Sequence, residues 1–92
     1  LSVFTSKYFS GKNIVDLGAG HGQISSAFSR FGSIVTAVDY RDDNLKTINK
    51  YYPSLKKIKM DLELGFRPNS KFDIALYLGT LNCLKLFSNL II

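Results

Sequence analysis

The chain is predicted to fold as an α/β protein built on a doubly wound parallel sheet, and three observations predict it. Short apolar runs rich in β-branched residues alternate with segments whose apolar residues recur at helical spacing. The first run leads directly into a glycine cluster, Gly18-Ala19-Gly20-His21-Gly22. Three of the runs are almost continuously apolar, as expected of strands covered on both faces.

Ile14-Val15-Asp16-Leu17 is short, β-branched and followed by glycines, so it predicts a buried first strand. From Gln23 the period changes. Ile24, Ala27, Phe28 and Phe31 fall at i, i+3, i+4 and i+7 and predict the inward face of a helix that Gly32 ends. Ser33 to Asp39 is the second strand. A second helix follows, with Asp42 as its N-cap and Leu45 and Ile48 facing inward. It closes at Tyr51-Tyr52-Pro53, because the residue before a proline is pushed out of the helical region. Leu55 to Met60 and Phe72 to Leu78 are the third and fourth strands, and the tail from Leu81 starts a third helix.

The third strand alternates lysine with apolar residues, and lysine on an edge strand discourages pairing with another chain, which places it at an edge. The spatial order 3-2-1-4 follows if the connection from Leu62 to Lys71 crosses back over the sheet. That diagonal is about 25 Å, and ten extended residues reach roughly 33 Å, so the crossing needs no full helix. A ligand crevice then opens between strands one and four, where the winding reverses.

At 92 residues the chain makes one small domain. A composition of 46% apolar and 21% charged residues excludes a disordered chain. The net charge of +5 is scattered, and its densest group, Lys56, Lys57 and Lys59, reads as a solvated face, so a nucleic-acid partner is disfavoured. The single cysteine, Cys83, rules out an internal disulfide and suits a reducing compartment, so the expected location is cytoplasmic; a buried apolar role is expected for it. No membrane partner is expected: the longest apolar stretch, Leu81 to Ile92, is short and broken by Lys85 and Asn89. No metal-binding cluster is visible. A start at Leu1 without methionine and an end in Leu90-Ile91-Ile92 predict a fragment of something longer.

The informative segment is the glycine loop. Its glycines let backbone turn tightly and lie close to a ligand, and the helix start at Gln23 is expected to offer unpaired N–H groups. The spacing is G-x-G-x-G, whereas the dinucleotide fingerprint has its third glycine one residue later. Asp16 stands two residues before the first glycine, where a carboxylate repels a pyrophosphate and suits a cationic, phosphate-free ligand. Asp39 and Asp61 end the next two strands, so three carboxylates are expected along one rim. Asp39 could accept from both ribose hydroxyls of a nucleoside, and Asp61 from an adenine amino group. The plainer readings are strand-end acids for Asp39 and Asp61, packing for Tyr40, and a spacer for His21. Asp73, at the opposite rim, is read as structural.

With these segments in place, the chain resembles the class I S-adenosylmethionine-dependent methyltransferases, which share a Rossmann-like sheet. V-D-L-G-A-G-H-G is similar to their motif I, V-T-A-V-D-Y to their second motif, I-K-M-D-L-E to their third and F-D-I-A-L-Y-L-G-T-L to their fourth. The likeness runs from about Ile14 to Leu84 and implies that S-adenosylmethionine is the cofactor. It implies that Asp16, Gly18 and Gly20 hold the methionine end, Asp39 the ribose, Asp61 the adenine amino group and the Leu62 backbone a ring nitrogen. Tyr40 would stack on the adenine, and Ala19, Gly22 and Leu78 complete the cofactor set. The family sheet has seven strands and this chain supplies four, so strand four is expected to need a missing C-terminal half or a partner over its edge.

Past strand four the chain lacks the acid-or-amide-Pro-Pro-aromatic motif of DNA and protein amine methyltransferases. That favours a small-molecule acceptor, although Asn82-Cys83 departs from the Leu-aromatic-His-Leu run of some small-molecule members. No catalytic residue can be assigned. Two other readings stay open: a non-catalytic remnant or interaction protein that keeps the fold, and an NAD-binding module.

Overall fold

The computed structural model describes residues 8–64 and 71–77. The elements are β1 (Asn13–Leu17), α1 (Gln23–Arg30), β2 (Ile34–Asp39), α2 (Asp42–Tyr51), β3 (Lys56–Lys59), a 3-10 turn (Leu62–Leu64) and β4 (Ile74–Leu76). All three strand pairings are parallel, and the order is β3-β2-β1-β4, as the sequence predicts. Leu78, the predicted helix from Leu81 and Cys83 lie outside the described residues, as does the middle of the connection between β3 and β4.

Alternation along the strands builds two apolar layers. Ile14, Val35, Ala37, Ile74 and Leu76 form one face, closed by Phe28 of α1 and Ile48 of α2. Val15, Leu17, Val38 and Ala75 form the other, against which Met60, Leu62, Phe72 and Tyr77 pack. The central strands are buried on both faces, which accounts for their unbroken apolar sequence. Strand β3 is exposed at Lys56, Ile58 and Lys59 and sits at the edge its lysines predict.

Two expectations are corrected. Ile24, predicted to face inward, is 42% exposed, while Ser25 and Ser26 are buried with Phe28. The helix is turned so that the Ser25 hydroxyl meets the carboxylate of Asp16 beneath it, and a buried charged group needs such a donor more than the core needs one more methyl. Asp42 is not the cap of α2. Arg41 holds the N-cap position without a side-chain cap bond, and Asp42 sits in the first turn, where it pairs with Lys59 at 2.9 Å. Strand four has three described residues, Ile74–Leu76, within the predicted run.

Asp73 behaves as a structural acid. Its carboxylate accepts from the Asn13 N–H at 2.8 Å, and its own N–H donates to the Asn13 carbonyl at 2.7 Å. That exchange pins the start of β4 to the start of β1, at the end of the sheet away from the glycine loop.

Candidate functional site

The glycine loop is fastened to the sheet by its own backbone. The N–H groups of Gly18 and Ala19 both donate to the Val38 carbonyl at 2.9 Å. The Gly20 N–H donates to the Asp39 carboxylate at 2.8 Å, and the Gly22 N–H to the Ala19 carbonyl at 3.0 Å. The sequence predicts unpaired donors at the helix start at Gln23; the four loop N–H groups that precede it are bonded internally. A loop that cradles a diphosphate aims such groups outward instead.

Beside the loop, at the C-terminal end of the strands, lies a cavity of about 390 Å³ lined by Gly18, Asp39, Tyr40, Asp61, Leu62, Glu63 and Tyr77. Five of the predicted site residues therefore meet at one place. They come from the ends of three elements, β1, β2 and the segment after β3, which parallel pairing brings to a common rim. Tyr40, among the lining residues, is 59% exposed.

Three carboxylates do line this rim, but not the predicted three. Asp16 is only 2% exposed and lies under the loop, its carboxylate accepting from the Ser25 hydroxyl at 2.6 Å. Glu63 takes the third place on the wall. The 3-10 turn that starts at Leu62 carries it there, and its N–H donates to the Asp61 carboxylate at 3.0 Å. The signal for Glu63 was an acid two residues past Asp61, which an assumed extended connection passed over. Tyr77 was missed because strand-end position alone does not say which side chains face a crevice.

Burial raises the Asp16 carboxyl from an ordinary 3.8 to about 6. The Ser25 hydroxyl pulls against that rise, and the negative charge of Asp39 adds to it. Asp16 is thus a buried acid whose charge is weakly supported by its surroundings, and a cation placed above the loop would favour its ionised form.

Asp39 is held from three directions. One oxygen, Oδ2, accepts from Gly20, and the other, Oδ1, accepts from the Arg41 N–H at 2.9 Å and the Asn44 side-chain amide at 3.1 Å. Gly20 and Gly22 differ in what surrounds them. Both have positive φ, 61° and 85°, but a side-chain carbon on Gly20 would meet open space. On Gly22 it would come within 2.9 Å of Ile48 and 3.3 Å of Tyr52. Gly22, expected among the cofactor contacts, is not among the residues that line the cavity, and its bare backbone packs closely against Ile48 and Tyr52. His21 is exposed and faces a second cavity of about 230 Å³, with Gln23, Thr47, Tyr51 and Tyr52.

A carboxylate-lined cleft at the switch point of a parallel sheet, beside an internally bonded glycine loop, suits a nucleoside that carries no phosphate. The sequence from residue 15 to 91 matches the methyltransferase domain family. The chain belongs to that family.

Among relatives of this methyltransferase-domain chain, a ubiquinone biosynthesis O-methyltransferase from Caulobacter sp. (strain K31) is 37% identical over 60 residues, covering 65% of this chain and 22% of that protein. The chain therefore matches about a fifth of that relative's length. A S-adenosylmethionine-dependent methyltransferase from Mesorhizobium loti superposes with a TM-score of 0.69 at 26% identity, covering 75% of this chain and 33% of that one. The plantazolicin methyltransferase BpumL, solved in complex with S-adenosylhomocysteine, gives a TM-score of 0.65 at 26% identity, covering 80% of this chain and 32% of that one. Among the described residues, no cluster of three His, Cys, Asp or Glu could hold a metal ion, and no helix is long and apolar enough to cross a membrane.

Proposed function

We propose that this chain is the cofactor-holding part of an S-adenosylmethionine-dependent methyltransferase acting on a small-molecule acceptor. The observation that carries the reading is the pairing of an internally bonded glycine loop with a cavity walled by Asp39, Asp61 and Glu63 and by no described lysine or arginine. Such a wall attracts hydroxyl, amino and cationic groups and repels phosphate. It fits S-adenosylmethionine, which brings all three attractive groups, and it does not fit the diphosphate of NAD.

In this reading Asp39 holds the ribose, Asp61 the adenine amino group and the Leu62 backbone a ring nitrogen, with Tyr40 against the adenine. Gly18 and Gly20 leave room for the methionine end, and buried Asp16 supplies negative charge beneath it. Bound S-adenosylmethionine supplies a methyl group on a positively charged sulfur, open to direct displacement. The chain's own contribution is to fix the position and the electrostatic surroundings of that group. The relationship to an O-methyltransferase favours an oxygen atom of the acceptor as the methylated site.

Isothermal titration of the chain with S-adenosylhomocysteine and, separately, with NAD tests the reading. Binding of the former alone is expected. Binding of NAD alone would overturn it in favour of a dinucleotide module, and binding of neither would favour a non-catalytic remnant.

A further inference from the structure

A carboxylate offers about four acceptor positions, two on each oxygen. On Asp39 both positions of Oδ1 are taken, by the Arg41 N–H at 2.9 Å and the Asn44 amide at 3.1 Å. On Oδ2 one is taken, by the Gly20 N–H at 2.8 Å. A pair of neighbouring hydroxyls chelates a carboxylate by donating one hydrogen bond to each oxygen. Oδ2 can take its hydroxyl without loss of these bonds, whereas Oδ1 must first release a donor.

The three donors are not equally able to leave. The Gly20 and Arg41 N–H groups belong to backbone fixed by the loop and by the entry to α2, and together they already set the orientation of the carboxylate from both sides. Asn44 reaches Asp39 with a side chain from the first turn of α2, is half-buried, and makes the longest of the three bonds. Rotation about its side-chain bonds moves its amide into solvent, where water satisfies it.

We propose that Asn44 is a placeholder on Asp39: its amide occupies, in the free chain, the acceptor position that a hydroxyl of a ribose diol takes on binding. The inference rests on the function proposed above and adds to it a residue that sets how strongly a vicinal diol is bound. Because the bond to Asn44 is given up on binding, the residue lowers affinity for the diol. A variant that cannot donate binds the same ligand more tightly.

The test is calorimetric titration of the whole chain with S-adenosylhomocysteine and with its 2′,3′-dideoxy analogue. Asn44→Ala is expected to tighten S-adenosylhomocysteine about threefold to tenfold, the scale of one hydrogen bond to a charged group partly replaced by water. It is expected to leave the dideoxy analogue unchanged. Asn44→Leu, which keeps the number and branching of the side-chain heavy atoms and cannot donate, should move affinity the same way and guards against loosening of α2. Equal or weaker binding of S-adenosylhomocysteine by both variants overturns the placeholder. So does equal tightening of both ligands, which would point to a general change in the site. If the unmodified chain binds neither ligand, the functional reading itself falls, and the placeholder with it.

Discussion

The Ser25 hydroxyl donates to the Asp16 carboxylate across 2.6 Å in the interior, joining α1 to the strand end beneath the glycine loop. Ser25 is fully buried and Asp16 nearly so. Their bond ties α1 to that strand end, and it leaves Asp16 a buried acid with a single described side-chain donor, two residues before the Gly18 that lines the candidate ligand cavity.

Asp16 makes the stability of the chain depend on pH in a direction opposite to that of a salt-bridged acid. Its carboxyl is raised from 3.8 to about 6, so between these values the folded chain holds more protons than the unfolded one. This group's contribution is therefore fully present below pH 3.8 and is lost as pH rises through 6, a change of about 3 kcal/mol. Asp16→Asn removes that dependence. Urea midpoints measured from pH 4 to pH 7 should fall less for the variant than for the parent chain, and parallel curves would contradict the assignment.

Ser25→Ala takes the donor away and leaves the carboxylate less supported. A loss of about 1.5–3 kcal/mol is expected at neutral pH, the range for a hydrogen bond to a charged group. The loss should shrink at low pH, where Asp16 is neutral. A pH-independent loss measured by chemical denaturation would mean that only packing had changed.

The last two glycines of the loop separate packing from ligand approach. Gly22→Ala places a carbon 2.9 Å from Ile48 at a φ of 85°, so stability should fall by about 1–3 kcal/mol. Gly20→Ala meets only open space, and its strain comes from a φ of 61° alone. Gly20→Ala should therefore lower the melting temperature less than Gly22→Ala. Gly20→Val, with a bulkier side chain, should abolish binding of S-adenosylhomocysteine, and undiminished binding would show that the loop is only a turn.

Asp39→Ala removes a ribose acceptor and the anchor of the Gly20 N–H together. Affinity for S-adenosylhomocysteine should fall about 10- to 150-fold, the equivalent of 1.5–3 kcal/mol. Titration calorimetry reads this directly, and unchanged affinity would remove Asp39 from the site.

The amino-acid sequence by itself determined the alternation of strands and helices, the edge position of the lysine-bearing strand and the order 3-2-1-4. The first two follow from periodicity, β-branching and the placement of glycine and lysine, which are local along the chain; the order follows from the reach of the Leu62 to Lys71 connection back over the sheet. It also marked Gly18, Asp39, Tyr40, Asp61 and Leu62, because residues that end parallel strands are carried to one rim whatever the finer packing. The tertiary structure alone decided which acids face the cavity. Asp16 went under the loop to Ser25, Glu63 swung onto the wall through a 3-10 turn, and Asn44 reached across to Asp39. Helix rotation and side-chain pairing depend on contacts between residues distant in sequence, and no spacing pattern encodes them.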